Sequence, residues 1–427
     1  MYYPYIDRYE FYENLPIYLL ITILLVLISI FVYIKLSFPF WNIQPVYHSY
    51  DFWRTLYSYP FIIHKRFLVK NTNKYHDLRQ VEIVPFVDAT DKQKKDFINL
   101  LQCFLLPSEN SVFVLNNENL ETYFGGHMFS SYISFYNQDY YTEKNKNNDI
   151  IKPDTPIGCI SSRSGELFIK GYNNNNAIPI YYIDFLCIHR EANYKKISRT
   201  LLQTHIYKQQ LLDDINSKTH VGSQTIMVSL FRREKELLFG IVPLTRFQTV
   251  YYEIPNTNNQ KLITLPEHII LIHINHSNIY MFVDFLESCK LRFECFLRTD
   301  IPNIIEMIKQ GILYVYCLKR IDDILSVYLF RDTRMSYDEL GSVLQLVGSI
   351  HNSSSQNLFI DGYINSIFEI TKKMQVYKVL MVDEISDNGI LMRTRYPIIN
   401  SHWTAYYLYN MIVPYSPLRK INSFILF

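Results

Sequence analysis

The chain has 427 residues, room for two or three ordinary domains, and 48% of them are hydrophobic, which excludes wholesale disorder. Its formal net charge is +2, too close to balance for a nucleic-acid protein, which needs a basic face to neutralise phosphates. Six scattered cysteines (Cys103, Cys159, Cys187, Cys289, Cys295 and Cys317) show neither a C-x-x-C pair nor zinc spacing, so no metal site and no disulfide framework is expected, and they read as reduced cysteines of a cytosolic protein body.

Residues 17–36, IYLLITILLVLISIFVYIKL, are twenty residues with one charge, Lys35, at the end. As a helix they span roughly 30 Å, one bilayer hydrocarbon core, and Lys35 can snorkel to the interface. Asp7, Glu10 and Glu13 precede the span against a single Arg8, and no small-x-small site follows, so a cleaved leader is the weaker reading. Arg54, Lys65, Arg66 and Lys70 follow it. The positive-inside rule then puts residues 1–16 across the membrane and the bulk in the cytosol, as a single-pass protein.

Residues 38–80 are aromatic and Pro-marked, with little helical period. A helix is expected over 91–106, with Phe97, Leu100, Leu101 and Leu105 on one face. The Lys/Asn-rich run 137–154 reads as a loop, 157–161 as a strand, GYNNNN at 171–176 as a turn and 178–188 as a second strand. N-T-N-N-Q at 256–260 is a plausible boundary between a half at 37–255 and a half at 256–427. Beyond it a short helix is expected at 301–310, with Thr299-Asp300 able to cap it. Strands are expected at 311–318, 324–330 and 377–382, and helices at 337–346 and 365–374. Two consecutive α+β units of similar build are the simplest reading.

Residues 184–202 read D-F-L-C-I-H-R-E-A-N-Y-K-K-I-S-R-T-L-L: a buried strand, a polar bend, then a helix. Free backbone N–H groups at such a junction form an anion site, and Lys195 and Lys196 add charge for phosphates. A bulge near Phe185 and Leu186 would turn unpaired amides into the cleft, where they could hold the oxyanion of an acyl transfer. Taken alone, the two lysines are better explained by a solvated helix start, Cys187 by the core and His189 by a structural polar role.

Several separated stretches resemble one family, the N-myristoyltransferases (glycylpeptide N-tetradecanoyltransferases). Phe40-Trp41-Asn42-Ile43-Gln44-Pro45-Val46 is similar to its F-W-x-T-Q-P-V. Asp184 to His189 resembles its N-F-L-C-V-H, and N-Y-K-K-I-S its R-S-K-R-V-A. Ile157 to Ser161 resembles V-G-F-I-S, and Tyr406-Tyr407-Leu408-Tyr409-Asn410 followed by Pro414 resembles Y-Y-L-Y-N-W-x-C-P.

The resemblance covers about 38–427 and implies an α+β fold of two fused acetyltransferase-like halves. It also implies transfer of myristate from myristoyl-CoA to the N-terminal glycine of peptides. By resemblance, Pro39, Phe40, Trp41 and Phe185, Leu186, Cys187, Ile188 line the acyl-CoA. Tyr194, Lys195, Lys196, Ile197 and Ser198 hold its phosphates, and the amides of Phe185 and Leu186 form the oxyanion hole. The family's base, its C-terminal carboxylate, maps to Phe427. With an ordinary pKa near 3.5 that carboxyl is ionised at neutral pH and can take a proton from an acceptor ammonium. The apolar tail S-F-I-L-F is expected to dock as a strand.

Two departures lie on the peptide side. Ile398 to His402 replaces the family's G-D-G, and Phe239 to Val250 stands where P-x-G-T-C-R-Y-x-H-R is expected. A degenerate, membrane-anchored scaffold and an acyltransferase with another acceptor amine therefore stay open. The Tyr-, Asn-, Ile- and Lys-rich composition is that of an AT-rich coding sequence, as in large DNA viruses or AT-rich protists.

Overall fold

The computed structural model describes residues 8–70, 72–106, 111–137, 143–144, 150–151, 156–219, 225–255, 262–321, 323–337, 341–352, 355–392 and 396–427. The chain opens with helix α1 (Arg8–Ser37), longer than the expected span and with Pro16 inside it. An 18-residue stretch within 14–37 has a mean hydropathy of 3.0, and none of it is buried. Among the described residues it is the one helix long and apolar enough to cross a membrane.

A first unit follows. Strand β1 (Val81–Pro85) leads to helices α2 (Asp91–Phe104) and α3 (Asn117–Phe124), then strands β2 (Tyr132–Tyr136), β3 (Gly158–Ile169) and β4 (Ile178–Ile188), helix α4 (Tyr194–Thr219), and strands β5 (Ser229–Glu234) and β6 (Thr245–Glu253). Thr90 and Gln93 start α2 with a capping box. The expected turn at 171–176 is built on Asn173, Asn174 and Asn175, all with positive φ, which Asn tolerates better than other non-glycine residues. Within the expected loop 137–154, Glu143–Lys144 pairs with Ile150–Ile151; residues 138–142, 145–149 and 152–155 lie outside the described residues.

The second unit repeats the plan. Strand β7 (Ile269–Ile274) leads to helix α5 (Ile279–Cys289), strand β8 (Cys295–Thr299) and helix α6 (Ile301–Lys309). Strands β9 (Leu313–Arg320), β10 (Asp323–Tyr337) and β11 (Gly341–His351), helix α7 (Gln356–Lys373), and strands β12 (Tyr377–Asp383) and β13 (Ile398–Tyr409) follow. Strand β14 (Ser423–Leu426) closes the chain. The expected boundary at 256–260 lies outside the described residues.

Both units run three antiparallel pairings, β1-β2-β3-β4 and β7-β9-β10-β11. A helical crossover, α4 or α7, then returns a parallel strand, β5 or β12. The last strand of each unit is exchanged: β6 lies between β12 and β13, and β13 between β5 and β6. One sheet of fifteen described strands results, with the swapped pair β6-β13 at its middle.

Two expectations are corrected. Residues 337–346 are not a helix: β10 ends at Tyr337, β11 starts at Gly341, and residues 338–340 lie outside the described residues. In β11, Val343, Leu344, Leu346, Val347 and Ile350 are all buried. A strand covered on both faces carries apolar residues at helix-like spacings, and that pattern misled the periodicity. Asp300 occupies the cap position of α6, yet its side chain makes no cap bond. It accepts instead from the Met128 amide at 2.9 Å and Ser164 Oγ at 2.6 Å, tying α6 to the first unit.

Candidate acyl-transfer site

Strands β4 and β5 pair only from Tyr181–Ile183 to Ser229–Phe231 and then part. A cavity of about 760 Å³ opens at the divergence. Its size suits a small-molecule site. The first unit supplies mostly apolar lining, among it Phe40, Trp41, Phe113, Ile160, Phe231 and Leu202. The second unit supplies Arg331, Asp332, Arg334, Gln345 and Asn400. Trp41 stacks on Phe231 with ring centroids 5.6 Å apart, which fixes the wall formed just beyond α1.

The bulge is present. Cys159 faces Cys187 and Ser161 faces Asp184, so Ile160 stands opposite both Phe185 and Leu186. Phe185 takes φ +52°, a region costly for a bulky side chain. Its ring is held at 5.0 Å from Tyr123, 5.9 Å from Phe113 and 6.0 Å from Phe97, and this packing offsets the strain. The freed Phe185 N–H, however, donates to Asp184 Oδ1 at 2.9 Å. Asp184 Oδ2 accepts from the Tyr123 hydroxyl at 2.5 Å. Burial and the Asp184 charge both push the Tyr123 hydroxyl well above its ordinary pKa.

Helix α4 begins beside the bulge. Asn193 Oδ1 accepts from the Lys196 N–H at 3.1 Å, a side-chain cap on the first turn of the helix. Of the residues expected from the sequence, Phe40, Trp41, Phe185, Leu186, Tyr194, Lys195 and Ser198 line one cavity. Pro39, Cys187, Ile188, Lys196 and Ile197 do not line it. Cys187 is buried, its thiol donating to the Leu100 carbonyl at 3.2 Å. Ile188 and Ile197 belong to the core under α4, and Lys196 is exposed.

Strand β14 docks parallel to β8 and buries Phe427. The Phe427 ring stacks on Tyr182 at 4.8 Å, and its main-chain oxygen accepts from Arg331 Nη1. Tyr182 and Arg331 line the cavity; Phe427 sits directly behind them. Arg163, also fully buried, lies 3.8 Å from the Tyr123 ring centroid and 5.7 Å from that of Phe427, a cation held on ring faces.

Three residues that the sequence reading missed, Arg331, Gln345 and Arg232, complete the wall, and a fourth, Asp383, joins them without lining the cavity. Arg331 donates to Gln345 Oε1 at 2.6 and 3.1 Å, and Gln345 Nε2 donates to Asp383 at 2.8 Å. Asp383 takes both nitrogens of Arg232, at 2.8 and 3.0 Å. Burial acts against the Arg232 charge, but Asp383 and Glu234 hold it firmly protonated. The chain Phe427–Arg331–Gln345–Asp383–Arg232 crosses both units. Its one sequence signal was a charge at the end of an apolar strand, Arg331 after 324–330 and Asp383 after 377–382.

No protein-family model and no curated protein matches the chain. Its structure is similar to crystal structures of Saccharomyces cerevisiae N-myristoyltransferase with bound myristoyl-CoA. One matches at TM-score 0.63 and 13% identity, covering 88% of this chain and 93% of that one. Another matches at TM-score 0.65 and 14% identity, covering 90% of each. A third, with myristoyl-CoA and inhibitors, matches at 0.65 and 14% over 89% and 92%. The chain has the N-myristoyltransferase fold, and the α+β class read from the sequence is the class observed.

Proposed function

We propose that this protein is a membrane-anchored acyltransferase that moves myristate from myristoyl-CoA to the N-terminal glycine of peptides. One observation carries the reading: the bulged end of β4, the N-terminus of α4 with Lys195, and the aromatic wall of Phe40 and Trp41 line a single cavity in a chain of N-myristoyltransferase fold. The apolar wall suits an acyl chain. The helix N-terminus and Lys195 suit the phosphates of CoA. The 37–255 half would hold the donor, and the 256–427 half the acceptor and the Phe427 carboxylate.

In the reaction the glycine amine attacks the thioester carbonyl carbon. The carbonyl oxygen gains charge against the amides of Leu186 and, once Asp184 releases it, Phe185; the C–S bond breaks, the attacking nitrogen gives up a second proton to the sulfur, and CoA leaves as a thiol. The Phe427 carboxylate takes the proton of the incoming ammonium; Arg331 orients that carboxylate. Helix α1 spans the membrane with the body in the cytosol, where acyl-CoA is found; protease should therefore reach residues beyond 40 on cytosol-side-out vesicles.

A second reading, an acyl-CoA-binding scaffold without turnover, is favoured by two contacts: Asp184 occupies the Phe185 amide and Arg331 the terminal oxygen. Mass spectrometry of acyl-CoA bound to the purified protein, followed by acylation of glycylpeptides, decides. Bound acyl-CoA with transfer supports the enzyme. Transfer to other amines alone supports a different acceptor, and binding without any transfer supports the scaffold. A C-terminal extension beyond Phe427 should cut turnover by roughly 10²–10⁴, the usual worth of positioned proton transfer, and leave acyl-CoA binding intact.

A further inference from the structure

Residues 53–70 are not explained by the transfer site. They carry Arg54, Lys65, Arg66 and Lys70 and no Asp or Glu. They also expose large apolar side chains that a water-facing surface would not keep: Trp53 is 81% exposed, Leu56 73% and Tyr59 73%, with Tyr57, Leu68 and Val69 exposed beside them. Lys65, Arg66 and Lys70 are exposed on the same segment.

This surface is continuous with the end of α1. Asn42 and Ile43 share a surface pocket with Asp51, Arg54, Ile63 and His64. The Tyr50 hydroxyl donates to Asn42 at 2.8 Å, and Phe38, one residue past α1, stacks on the exposed Phe239 at 5.2 Å. The other side of the segment is anchored on the body: Phe67 packs on Tyr207 at 5.4 Å, and the Tyr207 hydroxyl donates to the Val69 carbonyl at 2.9 Å.

Arg54 pairs with Asp51 at 3.4 Å, which leaves Lys65, Arg66 and Lys70 as the exposed cations. Exposed Trp and Tyr among aliphatic side chains, beside three exposed cations, is the composition of a surface that sits at the headgroup level of an anionic bilayer. We propose that residues 53–70 form a second membrane contact, seated on anionic lipid headgroups of the bilayer that holds α1. The proposal rests on reading α1 as a membrane span. Its consequence is positional. Trp41 follows Ser37 by four residues, so the acyl wall lies within about 14 Å of the end of the span. An acylated product leaving that wall passes into the adjacent bilayer instead of exposing its chain to water.

The test uses the full chain reconstituted in phosphatidylcholine vesicles with and without phosphatidylserine, with phosphatidylcholine brominated near the headgroup as quencher. The signal of Trp53 is the difference between the native chain and Trp53→Phe. It should be quenched by the brominated lipid and shielded from aqueous iodide. Omitting phosphatidylserine, or making Lys65→Gln, Arg66→Gln and Lys70→Gln together, should weaken seating roughly a hundredfold, about fivefold for each cation at a charged surface. Trp53 quenched by iodide and not by lipid, in protein that resists carbonate extraction, overturns the contact and leaves the span intact. Quenching equal in both vesicle types overturns the assignment to an anionic surface. Protein released by carbonate removes the span and the proposal together.

Discussion

Gly165 on β3 is where the chain end is admitted to the core. A Cβ there would stand 2.4 Å from Phe427 Cζ and 2.6 Å from the Arg298 carbonyl oxygen. The terminal ring can move aside, but the Arg298 carbonyl is backbone, so the pairing of β3 with β8 must give as well. Gly165→Ala should destabilise by about 1–3 kcal/mol, the usual cost of overpacking, and abolish transfer while calorimetry still detects acyl-CoA binding. Asp184 is the second telling residue. Its carboxylate holds the Phe185 N–H that the proposed oxyanion needs. Asp184→Ala frees that amide, so acceptor-free hydrolysis of acyl-CoA should rise, by at most about 10²–10³-fold, the worth of one oxyanion donor. Asp184→Asn keeps an acceptor oxygen and should not show the rise. Unchanged hydrolysis in the Ala variant would remove the Phe185 amide from the mechanism.

At the scale of an element, α4 does two jobs. Its first turn faces the cavity through Lys195 and not Lys196. Lys195→Ala should therefore weaken CoA roughly ten- to hundredfold by calorimetry, the range for charge-assisted bonds, and Lys196→Ala much less. Farther along, α4 buries His205 and Asp213. Burial brings His205 down from 6.5 to about 3. Burial raises Asp213 from 3.8 to about 6, although the Tyr132 and Tyr181 hydroxyls donate to it at 2.8 and 3.1 Å. Between about pH 4 and 6 the unfolded chain protonates His205 and the folded one does not, so that group makes stability rise with pH. In the same window the folded chain keeps a proton on Asp213 that the unfolded one releases, so stability falls with pH. The two slopes, about 1.4 kcal/mol per pH unit each, cancel. Relative to the native chain, Asp213→Asn should gain about 2 kcal/mol as pH rises from 4 to 6, and His205→Gln should gain as pH falls. Urea unfolding of detergent-solubilised protein at the two pH values reads both, and parallel pH profiles for all three proteins would contradict it.

At the scale of the whole molecule, the exchange of β6 and β13 makes the two units interdependent. Strand β6 has β12 and β13 as neighbours, so a fragment ending at 255 keeps none of its β6 pairings, and a fragment starting at 256 leaves β12 and β13 with open edges. Open edges of buried strands aggregate. Each half expressed alone should be insoluble, and the two co-expressed should assemble and copurify. Soluble, well-folded single halves would show that the exchange is not needed for either core.

Much of this was legible in the sequence, because local chemistry determines it. Continuous apolarity marks 17–36 whatever the rest of the fold does. The three Asn at 173–175, and the strand, bend and helix of 178–202 are settled by turn geometry and alternation within a few residues. Three things needed the tertiary structure. Strand β11 reads as a helix until cover on both faces is known. The side chain of Asp300 chooses Ser164, 136 residues away, over its own helix end. The polar chain from Phe427 through Arg331, Gln345 and Asp383 to Arg232 exists only because strands from both units lie in one exchanged sheet. Short-range hydrogen bonding and hydrophobic period are written along the chain, whereas partners of buried charges are chosen by whichever strands the fold sets side by side.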